Sequence, residues 1–203
     1  MTIDNLHILQ SVLDNPDDKQ FFLIQIIHRK KDGDSIHFSS NNTMISHIIK
    51  SYFIKSFDEL SPLMPEIKAL CNLFNARAYF YPNPKSFKKF YLNSVHTLID
   101  YIDADIVKNP FSILNSEANL TPIANKNKLW ILDVDTHDVS QINHVISVAN
   151  SNFNPNVIAS IPTPNGVHLL SRPFDINYFN HNLNFDVVIQ KNNPTILFAN
   201  LID

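Results

Sequence analysis

Apolar and polar positions along the chain form blocks that predict both strands and helices. The longest apolar block, QFFLIQIIHR over residues 20–29, is of strand type and ends at the polar turn KKDGD. A block of helical spacing begins at Ser86 and runs through SFKKFYLNSVHTLIDYIDADIV. The other blocks of the first half predict a helix from Asp4 or Asn5 to about Leu13, a strand or helix over 43–55, a helix over 56–75 interrupted by Pro62 and Pro65, and a strand over 76–81.

The second half alternates strand and helix patterns after an Asn- and Pro-containing stretch, 109–127, which is predicted as loop or short helix. The predicted strands cover 129–134, 157–161, 167–172 and the neighbourhoods of 185–189 and 195–199, and the predicted helices cover 138–151 and about 175–181. This order predicts an α/β or α+β fold with a mixed β-sheet. The stretch 109–127 is the best boundary between an N-terminal α/β unit, 1–108, and a C-terminal unit, 128–203, within a single domain.

The composition is that of an ordinary soluble globular chain. The 203 residues carry a net charge of -3, so no overall positive field attracts nucleic acid. No apolar run approaches the ~18–20 residues of a membrane span, and the first residues lack the basic segment of a signal peptide, so a cytoplasmic location is expected. Cys71 is the single cysteine, which excludes an intramolecular disulfide and a cysteine zinc site. The richness in Asn, Ile, Lys and Phe suggests an AT-rich genome, such as that of a virus or mobile element.

Two aspartates end the strand pattern LWILDVD, residues 129–135. Because alternate residues of a strand share a face, Asp133 and Asp135 are expected to point to the same side as neighbours. Two carboxylates this close repel each other unless a cation lies between them, and such oxygen ligands suit Mg²⁺ or Mn²⁺. The alternative is a strand that simply ends in a solvated polar turn, DTHD.

Polar side chains accompany two later strand patterns. A turn containing Pro, Asn and Gly joins VIASI to VHLLSR and predicts a β-hairpin with His168 on its second strand. This histidine is a candidate phosphate ligand, and the alternative is a histidine satisfied by a backbone carbonyl. Asp186, after Phe185, is a candidate third carboxylate, and Lys191 is either a phosphate contact or a turn lysine.

Basic residues cluster at two places in the first half, and a solvated surface is the simplest interpretation of each cluster. The clusters are Arg29 with Lys30 and Lys31, and Lys85 with Lys88 and Lys89.

The order of these segments resembles the archaeo-eukaryotic primase superfamily, the primase-polymerase group, whose motifs hhhDhD, sxH and hD lie on an RRM-like sheet. The corresponding segments here are ILDVD (131–135), GVH (166–168) and FD (185–186). The chain is also similar to small primase-like proteins of phages and mobile elements, through FNARAYFYPNPKSF (74–87), IPTPNGVHLLSRPFD (161–175) and KNNPTILF (191–198). The similarity spans most of the chain and is weakest over the first 15 residues and 105–127.

This resemblance implies template-directed nucleotidyl transfer, in which a 3′-hydroxyl attacks the α-phosphate of a nucleoside triphosphate with the help of two Mg²⁺ or Mn²⁺ ions. It implies that Asp133, Asp135 and Asp186 ligate the metals and that His168 binds the triphosphate. The further contacts that it implies are Arg77, Arg172 and Lys191 to phosphate, and Lys85, Lys88 and Lys89 to a nucleic-acid backbone. The implied partners are nucleoside triphosphates, single-stranded DNA or a primer-template, and a helicase or other replication protein. No membrane partner is expected.

One segment departs from the pattern of these relatives, which carry Asp-x-His-Lys before the Asn-Asn-Pro-Thr turn. This chain reads Val188-Ile189-Gln190-Lys191 there, and Asp186 lies two residues away, about 6–7 Å along a strand. A catalytically inactive primase-fold subunit that binds nucleotide or nucleic acid is therefore the main alternative. The others are a structural protein with a solvated acidic turn and a haloacid-dehalogenase-type phosphatase, although His137 stands where the phosphatase pattern has Thr or Val.

Overall fold

The computed structural model describes residues 1–29, 46–124, 128–150 and 155–200, and shows an α+β fold with antiparallel sheets. Lys30 and Lys31 lie outside these residues. The elements up to residue 120 are β1 (Thr2–Asp4), α1 (Leu6–Val12), β2 (Gln20–Arg29), β3 (Ser46–Ile54), α2 (Phe57–Leu60), a 3₁₀ turn (Ser61–Leu63), α3 (Met64–Leu73), β4 (Arg77–Phe80), β5 (Lys85–Ser86), α4 (Phe87–Asp103) and α5 (Pro110–Leu120). Those that follow are β6 (Trp130–Val134), α6 (Val139–Ala149), β7 (Val157–Thr163), β8 (Gly166–Ser171), α7 (Ile176–Asn182), β9 (Val188–Gln190) and β10 (Thr195–Asn200).

The first sheet has the strand order β1-β10-β4-β2-β3, with β5 paired to β2. Strand β2 is buried on both faces, which explains its continuous apolar run. Phe22 and Ile24 belong to the core that includes residues of α1, α2 and α3. Phe21 and Leu23 pack on the other side with Phe90 of α4 and with α5. The sheet therefore lies between two helical layers.

The second sheet has the order β7-β8-β6-β9, and its chain path is β6-α6-β7-β8-α7-β9. The expectation of a mixed sheet is wrong for the described strands, because every pair among them is antiparallel. Helix α6 does carry the chain from β6 to a strand of the same direction, β7. Strand β8 lies between these two strands, however, so they never pair.

The two sheets share one core. On the second sheet, Leu132 and Leu169 face α6 and α7, where they pack with Phe179. The adjacent pair on these strands, Ile131 and Leu170, faces the other side of the sheet and joins the core of the first sheet. The face of the second sheet that carries odd-numbered positions of β6 is therefore turned towards the first sheet.

Strand β10 lies in the first sheet, between β1 and β4, although the sequence pattern assigns it to the C-terminal unit. Asn5, which is buried at the start of α1, connects this strand to the second sheet. Its amide nitrogen donates to the Ile196 carbonyl at 2.9 Å and to the Pro162 carbonyl of β7 at 3.0 Å. The units 1–108 and 128–203 are thus interleaved rather than consecutive.

Most predicted elements are confirmed with small shifts of boundary. The ambiguous segment 43–55 contains strand β3, and the proline-interrupted helix is α2, the 3₁₀ turn and α3, with Pro65 in the first turn of α3. The stretch 109–127 contains helix α5. Within the described residues, no helix is both long and apolar enough to cross a membrane.

Candidate functional site

A cavity of about 370 Å³ lies between the two sheets. Its polar and charged lining comes from both sheets and includes Arg29, Arg77, Asp133, Asp135, His168 and Gln190. The two arginines come from β2 and β4 on one side, and the two aspartates come from β6 and the residue after it on the other. The volume is within the usual range of small-molecule sites, roughly 300–1,000 Å³. The cavity therefore offers opposite charges on two walls.

Asp133 and Asp135 line this cavity together, as the strand alternation predicts. Asp133 is part-buried within β6, and Asp135 is exposed just beyond the strand. The strand ends here because the chain turns, with the Thr136 N–H donating to the Val134 carbonyl at 2.9 Å. Asp138 then caps α6, its carboxylate accepting from the Ser140 N–H at 2.8 Å. A local turn and a helix cap thus fix where Asp135 lies.

Gly166 supports the turn that carries Asp135. A Cβ at this position would lie 2.1 Å from the Val134 carbonyl oxygen and 2.6 Å from the Thr136 nitrogen. Both distances are far below van der Waals contact, and both atoms belong to the backbone. The hairpin between β7 and β8 can therefore reach the end of β6 only because residue 166 has no side chain.

His168 is held between two side chains at the floor of the cavity. It lies directly opposite Asp133 in the register of β6 and β8, and its Nε2 is 3.4 Å from Asp133 Oδ1. Its Nδ1 is 2.9 Å from Oγ1 of Thr195, which is buried at the start of β10. The ring is therefore oriented from both nitrogens, one by each sheet.

Strand β9 supplies the other neighbours of Asp133. Gln190 donates from Nε2 to Asp133 Oδ2 at 3.1 Å. Val188 lies opposite Asp133 in the register, so the two side chains share a face, and Val188 is 59% exposed. The position where the resemblance implies an aspartate is thus beside Asp133, and here it holds a valine.

Several cavity residues are not predicted as ligands from the sequence, and Arg29 and Tyr79 are two of them. The sequence pattern places Arg29 in a solvated cluster, yet it lines the cavity with its guanidinium 5.8 Å from the ring centre of Tyr79. For Tyr79 the sequence pattern predicts only a position on a strand. The signal that could have found Arg29 and Tyr79 is their place on strands β2 and β4. These strands pair with each other and bring Ile27 opposite Arg77, another residue of the cavity.

Three residues that the resemblance implies as metal or phosphate ligands do not line the cavity. Asp186 is exposed in the segment before β9 and lines a different cavity, together with Asn180. Arg172 is exposed beyond β8 and donates to the Pro155 carbonyl at 3.3 Å. Lys191 places its ammonium group 5.0 Å from the ring centre of Trp130. Pairing of β9 with β6 begins only at Val188, which leaves Asp186 outside the sheet.

Lys85 is buried, with 5% of its surface exposed, whereas Lys88 and Lys89 are exposed on α4. Its ammonium group donates to the carbonyls of Asn119 at 3.0 Å and Thr121 at 2.9 Å. Lys85 therefore does not present its charge to a nucleic-acid backbone, contrary to the expectation from the sequence. Burial lowers the pKa of this lysine from its ordinary value of 10.5 to about 8.

Replacing Lys85 with methionine is expected to remove a pH-dependent part of the stability. Between pH 8 and 10.5 the unfolded chain keeps a proton that the folded chain has released, so the free energy of unfolding rises with pH. The difference between the wild type and Lys85→Met should therefore rise across this range by up to roughly 3 kcal/mol. Urea unfolding of both proteins at several pH values measures it. A difference that stays flat would mean that the lysine titrates normally.

The cavity between the two sheets, called the cleft from here on, has side chains that fit a divalent cation in part. Asp133 and Asp135 supply two carboxylates on one wall, and a hard cation such as Mg²⁺ completes its shell with water or substrate phosphate oxygens. Across the ranges that the structure describes, no group of three or more His, Cys, Asp or Glu side chains is arranged to hold a metal. The described residues therefore provide two carboxylates here, not the three that the resemblance implies.

Comparisons of the chain with models of protein families, with curated proteins and with solved structures find no match. The function of the protein must therefore be inferred from the residues of the cleft.

Proposed function

We propose that the protein is a metal-dependent, template-directed nucleotidyltransferase of the primase-polymerase kind, acting in the cleft between the sheets. The observation that carries the proposal is the direct pairing of Asp133 with His168 on adjacent strands, with Asp135 beside them in one cavity. The path β6-α6-β7-β8-α7-β9 supports it, because this is the β-α-β-β-α-β connectivity of an RRM-like sheet. The order of the motifs in the sequence is consistent with this strand pairing and with this connectivity.

Each wall of the cleft has a separate task in this proposal. Asp133 and Asp135 hold Mg²⁺ or Mn²⁺, which when bound neutralises phosphate charge and activates the attacking hydroxyl. His168 donates a hydrogen bond to the triphosphate, and Thr195 keeps its ring in position. Arg77 and Arg29 on the opposite wall attract the phosphates by charge and by paired N–H donors. The substrates are a nucleoside triphosphate and single-stranded DNA or a primer-template.

Incorporation of labelled nucleotides on single-stranded and primed templates, with Mg²⁺ or Mn²⁺, tests this proposal. We expect incorporation that EDTA abolishes and that His168→Ala lowers by roughly 100-fold or more, since a phosphate-binding donor is lost. His7→Ala is the matched control, because His7 is an exposed histidine on α1. No incorporation by the wild type with either metal would overturn the catalytic proposal.

The second candidate function is metal-dependent binding of nucleotide or nucleic acid without transfer, as a subunit of a replication assembly. The specific observation that favours it is Val188 opposite Asp133, at the position of the missing carboxylate. Asp186 does not replace it, because this residue lines a different cavity. Triphosphate binding that needs the metal, together with no incorporation, would select this candidate.

Replacing Val188 with aspartate is expected to complete the carboxylate set. The new side chain would lie on the same face as Asp133 and across from it, so Mn²⁺ affinity should rise roughly tenfold or more. Without metal the variant should be less stable than the wild type by about 1 kcal/mol, because like charges would face each other. Calorimetric titration with Mn²⁺ measures the first effect, and Val188→Asn is the uncharged control. Equal affinity in the two variants would show that no metal binds beside Asp133.

A further inference from the structure

We propose that the exposed face of helix α4 pairs with the same helix of a second copy of this chain, in antiparallel orientation. Four aliphatic residues of α4, Leu92, Val95, Ile99 and Ile102, are between 48% and 75% exposed. A surface helix normally carries polar residues on its outer face, so this stripe needs a partner. The inference concerns a surface outside the cleft and does not depend on the proposed activity.

The spacing of the stripe identifies the kind of partner. The four residues follow one another at intervals of three, four and three, which is the heptad spacing of a helix that packs lengthwise on another helix. The opposite side of α4 is already used, since Phe90 is buried in the core and Thr97 donates to Glu117 of α5 at 2.9 Å. The free stripe extends along a helix of 17 residues, about 25 Å.

The charges at the two ends of α4 favour a second copy and set its direction. Lys89 near the start and Asp103 at the end are both exposed and stand at the same heptad position beside the stripe. In an antiparallel pair, each Lys89 would face Asp103 of the other copy, giving two equivalent ion pairs. In a parallel pair the two positions would lie on opposite sides of the contact, so Lys89 and Asp103 would not form these ion pairs. The two ion pairs therefore favour the antiparallel direction.

The stripe is short, so the dimer should be reversible. Four partly exposed aliphatic residues per copy bury less surface than a standard interface of about 800 Å² per partner. We expect a dissociation constant on the order of 10–100 µM. The pairing also gives Lys89 a protein contact in place of the nucleic-acid contact that the resemblance implies.

Sedimentation equilibrium of the full chain over about 5–300 µM tests the inference. The wild type should form dimers, and Ile99→Glu should raise the dissociation constant at least about tenfold, because a charge enters the apolar contact. The control is Val139→Glu, which places the same charge at an exposed apolar position of α6 and should leave the mass unchanged.

A charge exchange distinguishes this geometry from other associations. Lys89→Asp alone and Asp103→Lys alone should each weaken the dimer by several-fold, and the variant with both changes should regain it. A wild type that remains monomeric throughout, or a dimer that Ile99→Glu does not affect, would overturn the inference. A monomer that binds phosphatidylcholine–phosphatidylglycerol vesicles through the same stripe, and sediments with them, would also overturn the inference. The partner would then be a lipid surface.

Discussion

Replacing Asp133 and Asp135 together with asparagine is expected to abolish nucleotide incorporation and to leave the free energy of unfolding unchanged or higher. The two carboxylates are the only acidic side chains among the described residues that line the cleft. Without them the described residues offer no hard anionic ligand for Mg²⁺ or Mn²⁺ there, so the loss should exceed about 1,000-fold. Asparagine keeps the shape and still offers Gln190 an oxygen, while the repulsion between two like charges disappears.

The matched control replaces two exposed aspartates elsewhere, Asp18 and Asp58, with asparagine and gives the same change in net charge. It should retain incorporation within about twofold, since neither residue lines the cleft. Urea unfolding of all three proteins checks the stability. A loss of more than about 2 kcal/mol in the Asp133 and Asp135 variant would instead assign these carboxylates to the fold.

Replacing Gly166 with alanine is expected to destabilise the protein by at least about 2 kcal/mol and to lower incorporation sharply. The added methyl group would meet the Val134 carbonyl oxygen at 2.1 Å, and a backbone atom cannot rotate away as a side chain can. The end of β6 must therefore separate from the hairpin. Because Asp135 follows this contact directly, its carboxylate should move out of the position that it shares with Asp133.

Val167→Ala is the control for this variant. It removes two methyl groups at the next position and should cost only about 1 kcal/mol, with incorporation retained. Urea unfolding and the incorporation assay, run on both proteins, separate the clash from a general weakening of the hairpin. Wild-type stability and activity in Gly166→Ala would mean that the hairpin does not pack on the turn after β6.

Those parts of the fold that depend on local pattern were predictable from the sequence. The alternation of β6 and the turn of the following hairpin put Asp133, Asp135 and His168 on two strands, and these three residues do line one cavity. Apolar periodicity and Ser86 likewise predicted α4, which begins at Phe87 with the Ser86 hydroxyl accepting from the Lys89 N–H. In each case the deciding interactions span only a few residues.

Features set by distant pairing were not predictable. The register of β6 with β9 decides that Val188, not Asp186, lies beside Asp133. The resemblance indicates this departure at Val188, but the local apolar pattern does not contain the register. The sequence places Lys85 at the surface because lysine is usually exposed, but the end of α5 covers it and supplies two carbonyl acceptors. Arg29 lines the cavity because the second sheet lies across from β2, and the local sequence pattern does not contain that arrangement.

The position of β10 has a consequence for how the protein is made. Strand β1 pairs only with β10 among the described strands, and β4 needs β10 along one edge. During synthesis, β1 and β4 leave the ribosome before β10. The edge of β4 that pairs with β10 is therefore unpaired, and it stays available to other chains until residues 195–200 emerge. Any chain that stops before residue 195 keeps that edge permanently. Truncated products should consequently aggregate or be degraded, so that only chains translated through β10 accumulate as folded protein.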